Sequence, residues 1–570
     1  MKLRRRIAGT WDWLAEYDGS ALRGDLMAGL AVGVMLVPQA MAYALIAGLP
    51  PVYGLYASLV PLLIYPLIGG AKRLAVGIVA LDMLVVGTGL ERIGATDTET
   101  VVGLALMLTA LVGVLHLVFG LLRLGFVAEW LSRPVTSGFM IAAPLLIAIS
   151  QLDSLLGVEV ERGHPAVVLW GLVEKVPETN AWAAAIGGGG ILVLVLAKRY
   201  VPRLPRALVV VGAATALVTF WPPLQGAVPA IGAFEAGLPS LTLPAVDLAN
   251  ARDLLGTAVT LALLQLMVTV TLARSLAEKG DDVRPNRELA ALGGANLVGS
   301  LFGSLPVSAS ISRTAVNADA GARSPLANLF AAGVVALALV ALPDVFARVP
   351  MAALAAIIIA SAVPMIDLKE LRELFEVRRS EGWLAIGTLL TTLAVGIQEG
   401  LVFGIGASMA HLLYRQSRPH VAVLGRLPSG DYRDQAIFDD AEPVPDVLVL
   451  RVDAPVTFAN ADWLRRTLRE EIRGAEPRPT TLVVDGRGIN LLDATGADAL
   501  VTLAEELADE GLRLALVNLN AEVRRIIERS GVKDELARHV VLDVTLHDAL
   551  EKLRDDGGDR DEEDHGKDDD

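Results

Sequence analysis

The chain has 570 residues, of which 53% are hydrophobic and 20% charged, and its formal net charge is −15 at pH 7. Its mean hydropathy of +0.53 excludes an ordinary soluble globular protein. The absence of cysteine excludes disulfides, thiol catalysis and cysteine metal sites. We therefore expect a polytopic α-helical membrane protein with a charged, soluble last quarter, and we expect no nucleic-acid partner.

Apolar blocks recur between residues 26 and 415, and each has the roughly 17 to 25 residues that cross a hydrocarbon core ~30 Å thick as a helix. Glycine, proline and charged residues divide these blocks into about fourteen helices, two of them too short to span alone. The helices are predicted to begin near Leu26, Val52, Val76, Val101, Pro134, Ala181, Ala207, Leu254, Glu288, Ser310, Pro325, Ala352, Trp383 and Glu399. Lys and Arg are concentrated in alternate loops, which predicts an even number of helices and two cytoplasmic termini.

Two corresponding places interrupt the apolar blocks, at residues 69–78 and 299–313, and each is the third element of a seven-helix half. This pattern predicts a 7+7 inverted repeat. Interrupted segments in matching positions of two halves are typical of a midplane site in a secondary transporter. Irregular loops or glycines that allow close helix packing are the alternative explanation.

The second interruption carries a solitary cation, Arg313, between long apolar runs. Burying a cation at membrane depth costs about 2.5 to 3.5 kcal/mol on insertion scales, so Arg313 needs a water-filled cavity or an anionic partner. The hydroxyl-rich residues before it suit an unwound segment that leads into a half-helix. The N-terminus of such a half-helix presents free N–H groups and a positive dipole end to a ligand. The segment is therefore a candidate anion site.

A proline-rich stretch follows Arg415, and an α/β domain is predicted after it because strand and helix patterns alternate. Buried strands are predicted at 447–452, 481–485 and 512–517, and helices at 461–472, 494–509 and 521–530. The predicted organisation is an N-terminal cytoplasmic segment at 1–24, a transmembrane domain at 25–415, a linker at 416–445, a soluble domain at 446–555 and an acidic disordered tail at 556–570.

The first apolar block closely resembles the signature of the SulP anion transporter family, which includes bacterial sulfate permeases and the animal pendrin and prestin relatives. The matching segments read DLMAGLAVG at 25–33, VPQAMAYA at 37–44 and GLPPVYGLYA at 48–57. The resemblance continues with PNREL at 285–289, GSLPVSASISRTAVN at 303–317 and SRPHVAVLG at 417–425. The soluble domain resembles a STAS domain through FANA at 458–461, DATG at 493–496 and RSG at 529–531.

The resemblance implies a core of helices 1 to 4 and 8 to 11 and a gate of helices 5 to 7 and 12 to 14, with elevator-like motion of one against the other. It also implies a homodimer and a site that needs neither a metal nor a cofactor. By position in the motifs, the site is expected to be lined by Gln39, Tyr43, Val79, Ala80, Ile311, Ser312 and Arg313. Two half-helix N-termini, a hydroxyl, an amide and one guanidinium are suitable donors for an anion.

The chain departs from the family pattern at two places near this site. Many bacterial relatives carry an acidic residue on helix 8 that is thought to couple transport to protons or sodium, whereas this chain has Val268 there and Gln265 one turn earlier. Ile78 replaces a usual proline, and Asp82 follows in an otherwise apolar helix. Asp82 is therefore a candidate replacement coupling acid, and Gln265 is a second candidate. Alternatively, Asp82 neutralises Arg313 or forms only structural hydrogen bonds.

Two further residues have a structural and a functional interpretation. Thr495 occupies the position that is phosphorylated in related bacterial regulators, which makes it a candidate regulatory residue, although a helix N-cap at Asp493 or Thr495 is the simpler interpretation. His116 lies in an apolar run, where a packing role is favoured over a proton relay.

These features predict a secondary active transporter of small anions (sulfate, bicarbonate, chloride or a dicarboxylate) in a bacterial or archaeal cell membrane. It would work by elevator-type alternating access, as a proton or sodium symporter or as an anion exchanger. An uncoupled anion channel is the alternative, because the helix 8 acid is missing. A nucleobase transporter of the same fold is disfavoured, since that class uses carboxylates on helices 8 and 10 and lacks a STAS domain. An enzyme is not expected, because no nucleophile and base set is recognisable.

Overall fold

The computed structural model describes residues 17–94, 97–129, 132–160, 165–201, 206–232, 237–243, 247–277, 283–529, 540–542 and 545–551. It divides into two compact units, Met1–Ala407 and Ser408–Asp570. The predicted acidic tail, most of the predicted N-terminal segment and two residues of the RSG motif lie outside the described residues. The predicted domain boundaries stay a prediction.

The first unit is helical, with one short strand in each half. Its first half contains α1 Gly19–Ile46, α2 Pro51–Ala57, α3 Val60–Ile68, β1 Val76–Gly77, α4 Ala80–Glu91, α5 Thr98–Leu121, α6 Arg133–Ile149, α7 Leu152–Leu156, α8 Pro165–Glu174, α9 Ala181–Tyr200 and α10 Arg206–Phe220. Its second half contains α11 Leu248–Ser275, α12 Pro285–Ser300, β2 Ser308–Ala309, α13 Ile311–Asp319, α14 Leu326–Ala341, α15 Pro343–Phe346, α16 Met351–Ala362, α17 Leu368–Val377, α18 Arg379–Ala394 and α19 Ile397–Ser417.

Seven helical segments in the described residues are long and apolar enough to cross a membrane, and three shorter apolar helices accompany them. Each of the fourteen predicted helices corresponds to a helix of the structure, which confirms the polytopic helical fold. Four further helices of the described residues, α7, α8, α15 and α17, were not predicted. All four are shorter than a membrane span, and α17 is rich in charged residues, so a search for apolar blocks of spanning length passes over them.

The largest differences in helix position occur at α1 and α11, which begin at Gly19 and Leu248 rather than near the first apolar residues. An aspartate caps each of these starts. The Asp18 carboxylate accepts a hydrogen bond from Ala21 N at 2.8 Å, and Asp247 accepts one from Ala249 N at 3.2 Å. This bond to Ala21, together with one from Ser20, lowers the pKa of Asp18. Because the caps satisfy free N–H groups, each helix gains a polar first turn before its apolar span.

Helices of the first unit pack closely where glycines face a neighbouring backbone. α1 packs against α14, and an added Cβ at Gly33 would lie 2.7 Å from Val334 Cβ. α2 packs on α1 even more tightly, since a Cβ at Gly54 would overlap the carbonyl oxygen of Ala40. Small residues that let backbones approach are a common basis of helix packing in membranes, where the hydrophobic effect between helices is absent.

The second unit contains a six-stranded sheet in the order β4-β3-β5-β6-β7-β8. Its strands are β3 Val421–Arg426, β4 Tyr432–Asp434, β5 Val447–Val452, β6 Thr481–Asp485, β7 Arg513–Val517 and β8 Val540–Leu542, and its helices include α20 Ala461–Gly474, α21 Ala494–Asp509 and α22 Ala521–Arg529. Strands β5 to β8 are parallel, whereas β3 pairs antiparallel with both β4 and β5. The predicted α/β domain is confirmed.

Two strands of this sheet, β3 and β4, lie within residues 416–445, the segment that was predicted as a linker. β3 has buried residues at Ala422, Leu424 and Gly425, and its register places Val423 opposite Leu450. The prolines around it suggested a linker, but they flank the strand rather than interrupt it. The strand pairs at the antiparallel side of the sheet, where a short apolar run is sufficient.

The packing of α2 on α1 predicts a strong effect of a single methyl group. We expect Gly54→Ala to destabilise the protein by about 1 to 3 kcal/mol or more, because the backbone of α1 would have to move. Gly333→Ala is the matched control, since Gly333 also lies in an apolar helix but has no atom within 4 Å of an added Cβ. Thermal unfolding in detergent should show a lower melting temperature for the first variant only. Equal melting temperatures would contradict the close approach.

Candidate functional site

Two short helices, α4 and α13, begin next to the same pair of strands. β1 and β2 are antiparallel, with Val76 opposite Ala309 and Gly77 opposite Ser308, and all four residues are buried. α4 starts after Val79, and α13 starts after Ser310, whose hydroxyl accepts a bond from Arg313 N at 3.4 Å. The two interrupted segments that the sequence analysis identified therefore meet, and they bring two helix N-termini together.

Side chains from the second half satisfy the irregular backbone that leads into β1. Asn317 Nδ2 donates to Arg73 O at 2.8 Å, Asn328 Nδ2 donates to Leu74 O at 2.9 Å, and Thr314 Oγ1 accepts from Ala75 N at 3.0 Å. Backbone groups at membrane depth need such partners because water is excluded. These three residues were not predicted as part of the site, although polar side chains within apolar surroundings were a usable signal.

Glu288 and Arg287 hold the segment just before that backbone. The buried Glu288 carboxylate accepts from Tyr65 Oη at 2.5 Å and from Gly70 N at 2.9 Å. Arg287 Nε donates to Ile68 O at 3.0 Å. The PNREL motif thus anchors the end of α3 from the second half, and it fixes the entry into β1.

Arg313 is fully buried, and two of its three guanidinium nitrogens have no hydrogen-bond partner among the residues that the structure describes. Its Nη2 donates to Ile78 O at 2.7 Å, whereas Nε and Nη1 have no partner in the described part of the chain. Buried donors are normally paired, and an unpaired buried cation is especially unfavourable. Two such donors close to a helix N-terminus are suitable hydrogen-bond donors for an anion.

The other predicted lining residues lie on the elements that surround Arg313. α1 packs against both α4 and α13, and it carries Gln39 and Tyr43, which are buried on consecutive turns. Gln39 Oε1 has no hydrogen-bond partner among the described residues. Val79 and Ala80 are half-buried at the start of α4, and Ile311 and Ser312 are exposed at the start of α13. Since Ile311 is 48% exposed beside the fully buried Arg313, the start of α13 is accessible.

Asp82 does not pair with Arg313. Its Oδ2 accepts hydrogen bonds from Gln265 Nε2 at 3.0 Å and from Ser308 Oγ at 2.6 Å, and the carboxyl group is buried. The alternative in which Asp82 neutralises Arg313 by direct contact is therefore not observed. The structure does bring the two predicted coupling candidates, Asp82 and Gln265, into contact. Ser308 was missed, because its role depends on the strand register.

The two residues with competing interpretations have clear positions. His116 is fully buried, and its Nε2 hydrogen-bonds with Ala262 O at 3.0 Å, which supports the packing role. Asp493 is the N-cap of α21 and accepts from Gly496 N at 2.8 Å. Thr495 is exposed in the first turn of that helix, and its regulatory role stays a prediction.

The described residues contain no group of three or more His, Asp or Glu side chains placed to hold a metal ion. The donors available at the start of α4 and α13 are a guanidinium, an amide, hydroxyl groups and backbone N–H groups. Such donors bind anions directly.

Comparisons with known proteins agree across nearly the whole chain. The sulfate permease family matches residues 22–388, and the STAS domain matches residues 440–549. The chloroplastic sulfate transporter 4.1 of Arabidopsis thaliana is 34% identical, over 95% of this chain and 81% of its own length. The probable sulfate transporter Rv1739c of Mycobacterium tuberculosis is also 34% identical, over 95% of this chain and 96% of its own length.

Solved structures of similar fold include two transporters. The murine Solute Carrier 26 family member A9 anion transporter, in the inward-facing state, has a TM-score of 0.88 and 26% identity, covering 96% of this chain and 93% of that chain. The transmembrane domain of the cyanobacterial bicarbonate transporter BicA has a TM-score of 0.60 and 24% identity, covering 68% of this chain and 99% of that chain. At that identity, the second likeness concerns the fold alone.

The close approach of Gly77 to Arg313 offers a way to test whether an anion binds at Arg313. Gly77 has φ +153°, and an added Cβ would lie 3.3 Å from Arg313 Nη2. We expect Gly77→Ala to strain the strand and displace the guanidinium, and so to reduce the rise in melting temperature that sulfate or chloride produces by binding the folded state. Gly103→Ala, with no atom within 4 Å of its Cβ, should keep the full rise. An undiminished rise in Gly77→Ala would place the anion elsewhere.

Proposed function

Since the chain belongs to the sulfate permease family, we propose that it is a secondary active transporter of small anions. The observation that carries this proposal is the fully buried Arg313 at the start of α13, two of whose donor nitrogens are unpaired within the described part of the chain. Sulfate, bicarbonate, chloride and dicarboxylates all suit one positive charge surrounded by N–H and hydroxyl donors. The names of the relatives, which are sulfate and anion transporters, support the anion class.

An anion at this position would resolve an otherwise unfavourable arrangement. A bound anion would accept hydrogen bonds from Nε and Nη1 of Arg313, and it would lie near the positive ends of α4 and α13. Gln39 and Tyr43 on α1, Val79 and Ala80, and Ile311 and Ser312 form the proposed lining. No cofactor is needed, because all of these groups act as hydrogen-bond donors or as neutral walls.

We further propose that transport follows an elevator mechanism. The site is built from α1, α4, α11 and α13. In the count of fourteen predicted helices these are helices 1, 3, 8 and 10, and all four belong to the proposed core of helices 1 to 4 and 8 to 11. The packing supports this division, because α1 packs on α14 and α5 on α12 within the core, while α6 packs on α18 and α9 on α16 within the proposed gate. A substrate held wholly by one group of helices can move with that group against the other.

Coupling is assigned to Asp82, with Gln265 as its partner. Asp82 is a buried carboxyl group near the anion position but without a cationic partner in contact, so gaining or losing a proton or a sodium ion there changes the charge of the core. A proton or sodium symporter or an anion exchanger is consistent with this role. Val268, in place of an acid on helix 8, favours an uncoupled anion channel as the second candidate.

The remaining proposals concern the setting of the protein. We expect a multi-pass location in a bacterial or archaeal cell membrane, cytoplasmic termini and a homodimer. The STAS domain is expected to be regulatory, with Thr495 as the residue that receives a modification, since it is exposed at a helix start.

Flux measurements in proteoliposomes test the proposed function. The purified protein should move at least one of sulfate, bicarbonate, chloride or a dicarboxylate, with saturation at high concentration. Arg313→Gln should raise the KM or lower the flux by about 10- to 100-fold, because a hydrogen bond to a charged group contributes roughly 1.5 to 3 kcal/mol. Arg348→Gln, at an exposed arginine of the same unit, should behave like the original protein. Failure of every anion to move would refute the transporter, and unchanged flux in Arg313→Gln would refute the site.

Asp82→Asn separates coupling from anion binding. The amide keeps the shape of the carboxyl group but cannot gain or lose a proton. We expect anion flux down its own gradient to persist, while uptake driven by an imposed proton or sodium gradient is lost. Parallel experiments with only one of the two gradients identify the coupled ion. If the variant retains the pH and sodium dependence of the original protein, Asp82 is not the coupling residue.

A further inference from the structure

A buried amide on α12 is fixed at both ends by one backbone residue. Asn296 is fully buried, its Oδ1 accepts from Val307 N at 2.8 Å, and its Nδ2 donates to Val307 O at 3.1 Å. A backbone N–H group can only donate and a backbone carbonyl can only accept. The orientation of the Asn296 amide is therefore determined by the main chain before any other side chain is considered.

The orientation of the Asn296 amide in turn determines the orientation of the Gln265 amide. The Asn296 Nδ2 group lies 3.5 Å from Gln265 Oε1, so it presents a hydrogen to Gln265. Only the oxygen end of Gln265 can accept that hydrogen, which leaves Gln265 Nε2 to donate to Asp82 Oδ2 at 3.0 Å. A flipped Gln265 would place two NH₂ groups against each other and an amide oxygen against the carboxylate.

Ser308 adds a second donor to the same carboxylate oxygen. It directly follows Val307, and its Oγ lies 2.6 Å from Asp82 Oδ2. Asp82 Oδ1 accepts no hydrogen bond from the residues that the structure describes, so a proton on this carboxyl group would lie on Oδ1. Two donors on Oδ2 stabilise the ionised form of a carboxyl group.

Most charged groups on the helices around Asp82 lie near helix ends. α1, α5, α6 and α11 pack on α4. On these helices, the buried charged or titratable side chains away from the helix ends are Tyr43 and His116, and Arg313 is buried in the first turn of α13. The other such groups on these helices, on α13 and on α4 itself lie near helix ends: Arg23, Asp25, Glu91, Glu99, Arg133, Arg252, Asp253, Arg274 and Asp319. Arg313 acts on Asp82 through space without contact. The hydrogen bonds from Gln265 and Ser308 are therefore the direct contacts that stabilise the ionised form of Asp82.

We propose that Asn296 is a positioning residue that sets the pH at which Asp82 exchanges its proton, acting through the orientation of Gln265. The inference rests on the proposed role of Asp82 in coupling. Without Asn296, the Gln265 amide is free to rotate and to turn its oxygen toward the carboxylate. The ionised form then loses a donor, the proton binds more readily, and the pH midpoint of transport moves upward.

The test measures anion flux into proteoliposomes as a function of pH for matched variants. Asn296→Ala should raise the midpoint by about one pH unit, since a hydrogen bond to a charged group is of that magnitude. Asn328→Ala is the control, because Asn328 is also a buried asparagine that donates to a backbone carbonyl, Leu74 O, but contacts neither Gln265 nor Asp82. It should lower flux at most, without moving the midpoint. A purely structural role for Asn296 predicts that both variants behave alike.

Gln265→Met provides a second arm that leaves the contact between Asn296 and Val307 intact. It removes the donor altogether, so the midpoint should rise at least as far as in Asn296→Ala, and the double variant should show no further rise. If Asn296→Ala does not fold, an unmoved midpoint in Gln265→Met still overturns the inference, because the proposed route from Asn296 to Asp82 runs through Gln265. An unmoved midpoint in the folded variants, together with loss of pH dependence in Asp82→Asn, overturns the positioning role alone. Unchanged pH dependence in Asp82→Asn overturns the coupling proposal and this inference with it.

Discussion

The burial of one guanidinium constrains the structure of the membrane unit more than any other interaction. Within the described residues, the Arg313 guanidinium makes one hydrogen bond, from Nη2 to the carbonyl oxygen of Ile78, and that carbonyl is available because the chain leaves helical geometry between β1 and α4. At a helical residue in position 78, the carbonyl oxygen would instead accept a hydrogen bond from a backbone N–H of the next turn. The pairing of β1 with β2 then fixes Ile78 and Arg313 relative to each other, although 235 residues separate them in the sequence.

Non-helical backbone at membrane depth needs partners, and the other half of the fold supplies them. Asn317, Asn328 and Thr314 bind residues 73–75, and Glu288 binds Gly70. In the second interruption, the Asn296 side chain pairs with the backbone N–H and carbonyl groups of Val307. A continuous helix would satisfy these backbone groups within itself, whereas here each bond connects two different elements. The two half-helices therefore form a single polar layer, and a substitution in one half is expected to disturb the other.

Sequence patterns were sufficient for some features of this site and insufficient for others. Arg313 and Asp82 were predicted because a charge in an apolar run is costly wherever it lies, and this cost can be seen in the local sequence. The interrupted blocks were recognisable for the same reason. The partners of these charges were harder to predict: Ser308 faces Asp82 because of strand register, and Asn296 faces Gln265 because α12 packs nearby. Such long-range contacts leave no local periodicity. The helix starts at Gly19 and Leu248 were missed because their N-caps, Asp18 and Asp247, extend each helix beyond its apolar span.

The separation of Asp82 from Arg313 has a consequence for how a proton and an anion would act on each other. Each group has its own hydrogen-bond partners, so an anion can occupy the free donors of Arg313 without displacing any partner of Asp82. The two sites then interact by charge alone, and charges interact strongly where water is excluded. A proton on Asp82 removes a negative charge near the anion and strengthens anion binding. By thermodynamic linkage, a bound anion strengthens proton binding equally. With Asp82 as the proposed proton site and Arg313 as the proposed anion site, this arrangement favours joint loading of proton and anion, which a symporter requires and a simple channel does not.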